Sequence, residues 1–401
     1  MRPAYRVALY LVFGVLIAGC GAQGGAGTGG QNTSMLPSAG KVLAPTFNGG
    51  VSNSSALATL YVSGQGGVYA YDLTGPTPSG TVTPAPIDRD GGYYYSAGLV
   101  NTSIAGIATN SVGDLVVVQN YSTGAFGGIG TCQLAYLGAR TNSKSPLLSQ
   151  VNNCSTTGKA VGVTFTGTGN TGDSNADMID VLMHADGQTP SCNSGGVQFE
   201  VDRYQATTAG SVTQQACAIP DYATDTTYSY HAIGGANNGQ FFVDFSHVGS
   251  PDDTIARYIN FSTGFTGPQS SDHTGLIPGL GPIAVSENYS TGHGFRVVAS
   301  TVGTSTTIYE FTVDKSDPNL TFTQALGTFG HTVAALAVDN SGNVYVGINQ
   351  PNGVTLVKVY TVGQTQATSP TYILENAVRR PNPANSPQAV ITGLAITQPG
   401  P

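Results

Sequence analysis

Two histidines at matching places in the chain carry its most suggestive chemistry. His231 and His331 each precede a short run of small apolar residues, AIGG and TVAALAV. Imidazole titrates near neutral pH and ligates metal ions, so two facing histidines could bind a cation or transfer a proton. No Asp or Glu adjoins either histidine in the sequence, however. This favours two solvated loop residues that bond to the backbone.

A second potential metal site begins at Asp173. Asp173, Asn175 and Asp177 alternate as oxygen ligands do at the start of a calcium-binding loop. The pattern then fails, because Met178 stands where such a loop needs glycine and His184 where it needs a bidentate glutamate. We therefore predict a polar surface insertion, with weak calcium binding at most, and no cofactor.

The cysteines indicate an oxidising compartment. When Cys20 is set aside, an even number remains: Cys132, Cys154, Cys192 and Cys217. An even number in an exported chain predicts disulfide bonds, and pairing in sequence order would place each bond across one hairpin. Other connectivities stay open. The spacing lacks the Cys-x-x-Cys pairs of zinc sites, which disfavours a metal centre.

The amino terminus has the pattern of an export signal. Arg2 and Arg6 precede an apolar run over residues 7–18, which is too short to span a bilayer comfortably. The run ends in Leu-Ile-Ala-Gly-Cys, which resembles a bacterial lipobox. The resemblance implies removal of residues 1–19 and attachment of lipid to Cys20.

A flexible tether is predicted to follow. Residues 20–55 are rich in Gly, Ser, Asn and Gln and cannot bury enough apolar surface to fold. Gly21, rather than Asp, follows the lipidated cysteine, which in Gram-negative lipoproteins is typical of the outer membrane. We expect a lipid-anchored protein of the cell envelope, at the outer membrane rather than the inner one.

Charge excludes one class of partner. Charged residues make up 9% of the chain and its formal net charge is −8. Lys and Arg form no cluster, and Arg379–Arg380 is the sole adjacent basic pair. Nucleic-acid binding needs several cations on one face, so we predict no nucleic-acid partner.

An internal repeat defines the architecture of residues 56–401. Short small-residue strands recur at intervals of 50 to 70 residues. Their central apolar residues are Ile107, Val163, Ile233, Ile283, Leu336 and Leu394. Each is followed by a polar turn and a β-branched or aromatic strand, and this period fits four-stranded propeller blades.

The chain ends complete the ring. Residues 58–73 look like the second and third strands of a blade that lacks its first strand, and residues 391–397 look like a first strand alone. We predict an all-β, six-bladed β-propeller of four-stranded antiparallel blades, closed by pairing of the two terminal segments in one blade. A closed ring leaves no long unpaired edge at the seam, and we expect a monomer.

The stretch AVDNSGNVYV, residues 337–346, resembles the repeats of NHL-like and SMP-30-like six-bladed propellers. Such propellers bind ligands at the mouth of the central funnel, near the start of the innermost strands. The resemblance thus selects as binding candidates Thr102, Lys159, Tyr230, His231, His331 and Thr332.

Three functions fit this pattern. We favour a binding or assembly scaffold without catalysis, whose ligand is a protein, peptide or glycan at the propeller face. The alternative is a metal-dependent hydrolase or lyase, because the chain also resembles propeller lactonases and streptogramin-type lyases. Against that alternative, Glu200, Glu287, Glu310 and Glu375 assemble no metal-binding set at the expected blade positions. A purely structural surface protein is the third function.

Overall fold

The computed structural model describes a set of residues that all lie in one compact unit, 41–401. They are residues 58–64, 67–73, 79–82, 93–94, 100–110, 113–122, 131–138, 147–152, 159–166, 178–184, 198–206, 211–218, 225–235, 240–249, 253–258, 279–286, 294–303, 305–314, 320–339, 342–349, 355–360, 371–374 and 391–397. Within these ranges there is no helix with the length and apolar character needed to cross a membrane. Cys20 and the predicted tether, Cys154, Cys192, Asp173, Asn175 and Asp177 lie outside them.

The described residues form six sheets, which we number as blades in chain order. Blade 1 has the strand order β24 (Ile391–Thr397), β1 (Ala58–Gly64), β2 (Gly67–Leu73), β4 (Tyr93–Tyr94). Blade 2 contains β5 (Val100–Thr109), β6 (Leu115–Ser122), β7 (Thr131–Leu137) and β8 (Leu147–Asn152). Blade 3 contains β9 (Lys159–Phe165), β10 (Met178–His184), β11 (Phe199–Ala206) and β12 (Val212–Ala218).

The second half repeats the plan. Blade 4 contains β13 (Tyr228–Gly235), β14 (Phe241–His247) and β15 (Asp253–Tyr258). Blade 5 contains β16 (Leu280–Ser286), β17 (Gly294–Thr301), β18 (Thr306–Asp314) and β19 (Leu320–Phe329). Blade 6 contains β20 (Thr332–Val338), β21 (Val344–Asn349), β22 (Thr355–Tyr360), β23 (Thr371–Leu374) and β3 (Ser79–Val82).

The predicted closure is confirmed. Strand β24, from the end of the chain, pairs antiparallel with β1, and Leu394 stands opposite Val62. The small-residue strands are the innermost strand of each blade, as the repeat predicts. The fold is therefore a six-bladed, all-β propeller whose two terminal segments share blade 1.

Two blades depart from the four-strand plan. Blade 4 has three strands among the described residues, and blade 6 has five. The fifth is β3, which leaves blade 1 and pairs in parallel with β23, at the outer edge of blade 6. Blade 6 therefore carries one strand more than the four predicted, and this additional strand is parallel to its neighbour. The chain that follows β2 covers the edge of the neighbouring blade, which protects that edge from pairing with other chains.

The core consists of layers between neighbouring blades. The second strand of a blade is buried on both faces, as in β6, where Val116 and Val118 pack toward blade 3. Leu115 and Val117 of the same strand pack toward blade 1. A strand buried on both faces reads as a continuous apolar run, which explains LVVV at the start of β6.

A hydrogen-bonded turn explains the repeated Asn/Asp–Ser–Gly sequence. After β20, the Asp339 carboxylate accepts hydrogen bonds from the Asn343 backbone N–H at 2.8 Å and the Asn343 Nδ2 at 2.7 Å. The Tyr345 hydroxyl donates to the same carboxylate at 3.2 Å. Gly342 completes the turn with a φ of 82°, which glycine adopts without strain. The repeat signature is thus a device for turning between the first and second strands.

Candidate functional site at the channel

The innermost strands surround a central channel with a volume of about 560 Å³. Its described wall consists mainly of Ala, Gly, Ile, Leu and Val, because neighbouring blades approach one another closely there. At Gly235 the approach is closest, since an added Cβ would lie 2.2 Å from the Phe165 carbonyl oxygen. The small residues that identify the repeat are therefore required by the narrow centre of the ring.

A β-bulge occurs at the same place in the innermost strand of every blade. Two residues of that strand stand opposite one residue of the second strand. Bulges re-aim side chains, and the first residue of each bulge lines the channel. These residues form a ring of six positions: Ala105, Val161, His231, Gly281, Ala334 and Thr392. His231 is the one ionisable side chain in this ring.

His231 and Ser246 form a hydrogen-bonded pair in the channel wall. The His231 Nε2 lies 2.7 Å from the Ser246 Oγ. Although the imidazole is exposed to the channel, the surrounding wall removes enough water to lower its pKa, and the Asp253 carboxylate opposes this shift. His231 is therefore mainly neutral at pH 7, and its Nε2 is able to accept a proton from the Ser246 hydroxyl.

Asp253 joins blade 4 to blade 5 beside this pair. It stands opposite Ser246 on the ladder between β14 and β15, and its Oδ2 accepts a hydrogen bond from the Leu280 N–H. Elsewhere the same task belongs to an asparagine. Asn120 bridges the N–H and C=O of Ala160 at 2.8 and 2.9 Å, and Asn349 bridges those of Ile391 at 2.9 and 3.1 Å.

Asp244 lies behind the pair and is fully buried. It stands opposite Ala232, within the bulge that carries His231, and neither carboxylate oxygen has a hydrogen-bond partner among the described residues. Burial raises the pKa of Asp244 well above its ordinary value, and repulsion from Asp253 adds to this shift. Asp244 is consequently held as a neutral carboxylic acid over a pH range in which Asp residues normally ionise.

The residues predicted for the funnel mouth occupy several environments. His231 lines the channel. Tyr230 is buried between blades, with its ring 5.0 Å from that of Phe199. Lys159 is exposed at the start of β9, and Thr332 is exposed with its hydroxyl bonded to the Gly303 carbonyl at 3.0 Å.

The remaining two predicted residues do not join His231. The partly buried His331 does not line the channel, and its carbonyl accepts a hydrogen bond from Thr306 at 2.7 Å. Thr102 lies in β5, and its side chain is outside the described part of the structure. The pair of facing histidines considered from the sequence is therefore not assembled at this channel.

Elsewhere the described residues bring together one set of three metal-ligand types. Atoms of Glu200, Asp202 and Cys217 lie within 4.8 Å of one another in blade 3. The Cys217 Sγ is 3.5 Å from Glu200 Oε2, and Cys132 is buried with its Sγ 4.0 Å from the Met183 Sδ. These three residues do not line the channel.

The predicted disulfide pairing stays a prediction, because Cys154 and Cys192 lie outside the described residues.

Sequence reasoning missed Asp244, Ser246 and Asp253. A signal was present for Asp244, since FFVDF places a carboxylate within a buried strand where LVVVQ and VYVGI carry apolar residues. Ser246 and Asp253 gave no such signal. They become neighbours through the register of β14 with β15, which no repeated motif indicates in the sequence.

No protein-family model matches the chain, and no curated protein matches its sequence. Among solved structures it is similar to a candidate 6-phosphogluconolactonase from Bacteroides fragilis, with 11% identity, a TM-score of 0.44 and coverage of 86% of this chain and 99% of that one. It is also similar to a second candidate 6-phosphogluconolactonase, from Bacteroides uniformis, with 14% identity, a TM-score of 0.42 and coverage of 78% of this chain and 81% of that one. Regucalcin from Agrobacterium tumefaciens, named a calcium-binding protein, has 12% identity, a TM-score of 0.37 and coverage of 68% of this chain and 74% of that one. At these scores the similarities assign no activity to this chain.

Proposed function

We propose that this protein is a monomeric, lipid-anchored binding protein of the cell envelope whose central channel holds its ligand. The observation that carries the proposal is the wall of the channel, which combines many small apolar side chains with fixed polar ones. His231, Ser246 and Asp253 form a polar sector of this wall at blade 4. Small-molecule sites typically combine a mainly apolar surface with a few fixed polar groups. The two ladders that hold β1 between β24 and β2 support a rigid frame around such a site.

Native mass spectrometry of the protein purified from its own membranes tests binding in the channel. We expect a small molecule of constant mass to remain bound to the wild-type protein. Ala334→Trp places a large side chain at a bulge position of the ring, and it should remove the bound molecule while the circular dichroism spectrum is unchanged. Equal occupancy in this variant would contradict the proposal, because the ligand would then bind outside the channel.

The lipid anchor has a separate test. Globomycin blocks removal of lipoprotein signal peptides, so treated cells should accumulate the uncleaved precursor. Mass spectrometry of the mature amino terminus should find an acylated Cys20, and proteolysis of intact cells should show which face of the envelope the protein occupies. A mature protein without lipid at Cys20 would overturn the anchoring part of the proposal.

A second candidate function is hydrolysis in the same channel. It is favoured by the 2.7 Å contact between the Ser246 hydroxyl and the imidazole of His231, which matches the arrangement of a nucleophile and its general base. In this case Ser246→Ala should abolish hydrolysis of activated esters such as p-nitrophenyl acetate, while Ser229→Ala should not. Activity that is absent in the wild type, or unchanged in Ser246→Ala, would leave binding as the function.

A further inference from the structure

Blade 4 differs from the other blades at the positions that face the channel mouth. Asp244 stands opposite the bulge, and the residues in its place in the other blades are Ser63, Val118, Leu182, Ser300 and Gly347. His231 likewise replaces a small or aliphatic residue or a threonine in the ring of bulges. Because the other blades fold without ionisable side chains at these two places, the fold alone does not require them in blade 4.

The polar sector at blade 4 presents negative charge to the channel. Asp253 and His231 are the ionisable side chains of the described channel wall, and this part of the wall contains no Lys or Arg. His231 is mainly neutral, whereas Asp253 is a buried carboxylate with a backbone N–H donor. Low-dielectric walls strengthen the field of such a group, so the channel attracts a cation.

The arrangement of acceptors restricts which cation fits. The Ser246 oxygen lies between His231, at 2.7 Å, and Asp253, its cross-strand neighbour. Behind them, Asp244 is buried with both carboxylate oxygens unpartnered among the described residues. Asp244 does not line the channel, and burial holds it neutral, so the negative charge that a channel ligand meets in this sector is that of Asp253.

We propose that the channel binds an amphipathic primary amine. Its ammonium group would contact Asp253, Ser246 and His231, and its apolar body would lie along the Ala, Ile, Leu and Val side chains of the wall. A primary ammonium carries three N–H donors, which the Asp253 carboxylate and the lone pairs of the Ser246 oxygen can accept while the Ser246 proton is donated to His231. The inference rests on the proposed binding function and specifies the chemical class of the ligand.

Isothermal titration calorimetry with n-octylamine tests the inference on residues 21–401, which include the whole compact unit. The comparison ligands are octanoate, 1-octanol, octyltrimethylammonium and Ca²⁺. We expect octylamine to bind at least about tenfold more tightly than octanol or octanoate, because a charge-assisted hydrogen bond contributes about this factor. Octyltrimethylammonium should bind more weakly than octylamine, since it has the charge without the N–H donors.

Matched variants locate the site. Asp253→Asn keeps an acceptor for the Leu280 N–H, as Asn120 and Asn349 do for their neighbours, yet it removes the charge. This variant should weaken octylamine binding about tenfold and leave octanol binding unchanged. Asp225→Asn removes an exposed carboxylate that does not line the channel, and it should change neither affinity.

The outcomes separate this inference from the binding function. If octanol and octanoate bind as tightly as octylamine, and Ala334→Trp abolishes their binding, the channel binds ligands but the ammonium inference is wrong. Displacement of octylamine by Ca²⁺ would also overturn it, since the sector would then be a metal site. If none of the organic ligands binds, the inference fails together with the apolar channel site on which it rests.

Discussion

At the scale of single residues, Asp244 differs from the buried carboxylates Asp180 and Glu310, because neither of its oxygens has a hydrogen-bond partner among the described residues. The buried pair Arg203–Asp180 is joined at 2.6 Å and the pair Arg296–Glu310 at 2.9 Å, so these carboxylates face a cation. Asp244 faces another carboxyl group, Asp253, instead. A protein keeps an uncompensated group of this kind at a cost in stability, which is common at binding sites.

The raised pKa of Asp244 predicts how stability depends on pH. In the unfolded chain this group ionises near its ordinary pKa of 3.8, whereas in the folded protein it stays protonated well above that value. The folded state therefore binds more protons, and the free energy of unfolding should fall as the pH rises from about 4 toward the pKa of the folded state. Repulsion from the Asp253 charge strengthens the effect.

Asp244→Asn tests this dependence, because it keeps the shape of the side chain without the ionisation. Urea unfolding should give equal stabilities for variant and wild type near pH 3, and an advantage for the variant that grows between about pH 4 and 7. Asp225→Asn is the matched control, because the pKa of Asp225 is shifted in the opposite direction. Hydrogen bonds from Thr227 lower the pKa of Asp225, so that variant should gain no stability as the pH rises. Parallel pH curves for Asp244→Asn and the wild type would contradict the prediction.

At the scale of elements, blades 2 and 6 show the turn that joins the first two strands of a blade. Asp339 is 5% exposed and its carboxylate receives hydrogen bonds from Asn343 and Tyr345. Blade 2 builds a related turn, in which the Asp114 N–H donates to Asn110 Oδ1 at 2.8 Å and the Tyr136 hydroxyl donates to the Asp114 carboxylate at 2.5 Å. The recurrence of this motif in sequence therefore reflects a requirement of the hairpin and not of a ligand.

Asp339→Ala should lower the free energy of unfolding by about 3 kcal/mol, because it leaves several buried donors without an acceptor. Chemical denaturation of the purified protein measures the change. Asp225→Ala offers a comparison, since Asp225 accepts similar bonds from Thr227 in an exposed turn, where water replaces them. Its loss of stability should be much smaller. Equal losses of unfolding free energy in the two variants would contradict the prediction that burial makes the Asp339 hydrogen bonds more important for stability.

Sequence and structure agree on the elements that repeat and differ on those that do not. Small-residue strands, polar turns and the joined termini follow from a pattern that recurs along the chain, so the number of blades was predictable. Strand β3 was not, because its parallel pairing with β23 joins segments that are far apart in sequence and share no motif. The polar sector of blade 4 was predictable at His231 alone, since Asp253 reaches its neighbours through strand register.

At the scale of the whole molecule, the ring is closed by β24. Ile391 and Leu394 pack in the layer between blades 6 and 1, and Ala395 packs in the layer between blades 1 and 2. The Thr109 hydroxyl also donates to the Ile396 carbonyl at 2.8 Å. One strand thus completes two core layers, and both are exposed to water if it is absent.

Deletion of residues 391–401 should therefore abolish cooperative unfolding, because each blade is stable only against its neighbours. Near-ultraviolet circular dichroism during urea titration would show a broad, early loss of tertiary signal. Deletion of residues 398–401 alone keeps every described residue and should unfold like the intact protein. A truncated protein that still unfolds in one sharp transition at the original urea concentration would disprove the role of β24.

The shared first blade also decides where mechanical load enters the protein. Any tension that arrives along the chain from residue 57 is applied to β1, the strand that β24 and β2 hold on either side. A pull strong enough to free β1 would break the ring at its seam and expose two interblade layers together. If the protein is anchored through its amino terminus as we propose, β1 is thus the point of failure under drag, and its paired neighbours set the force that the molecule withstands.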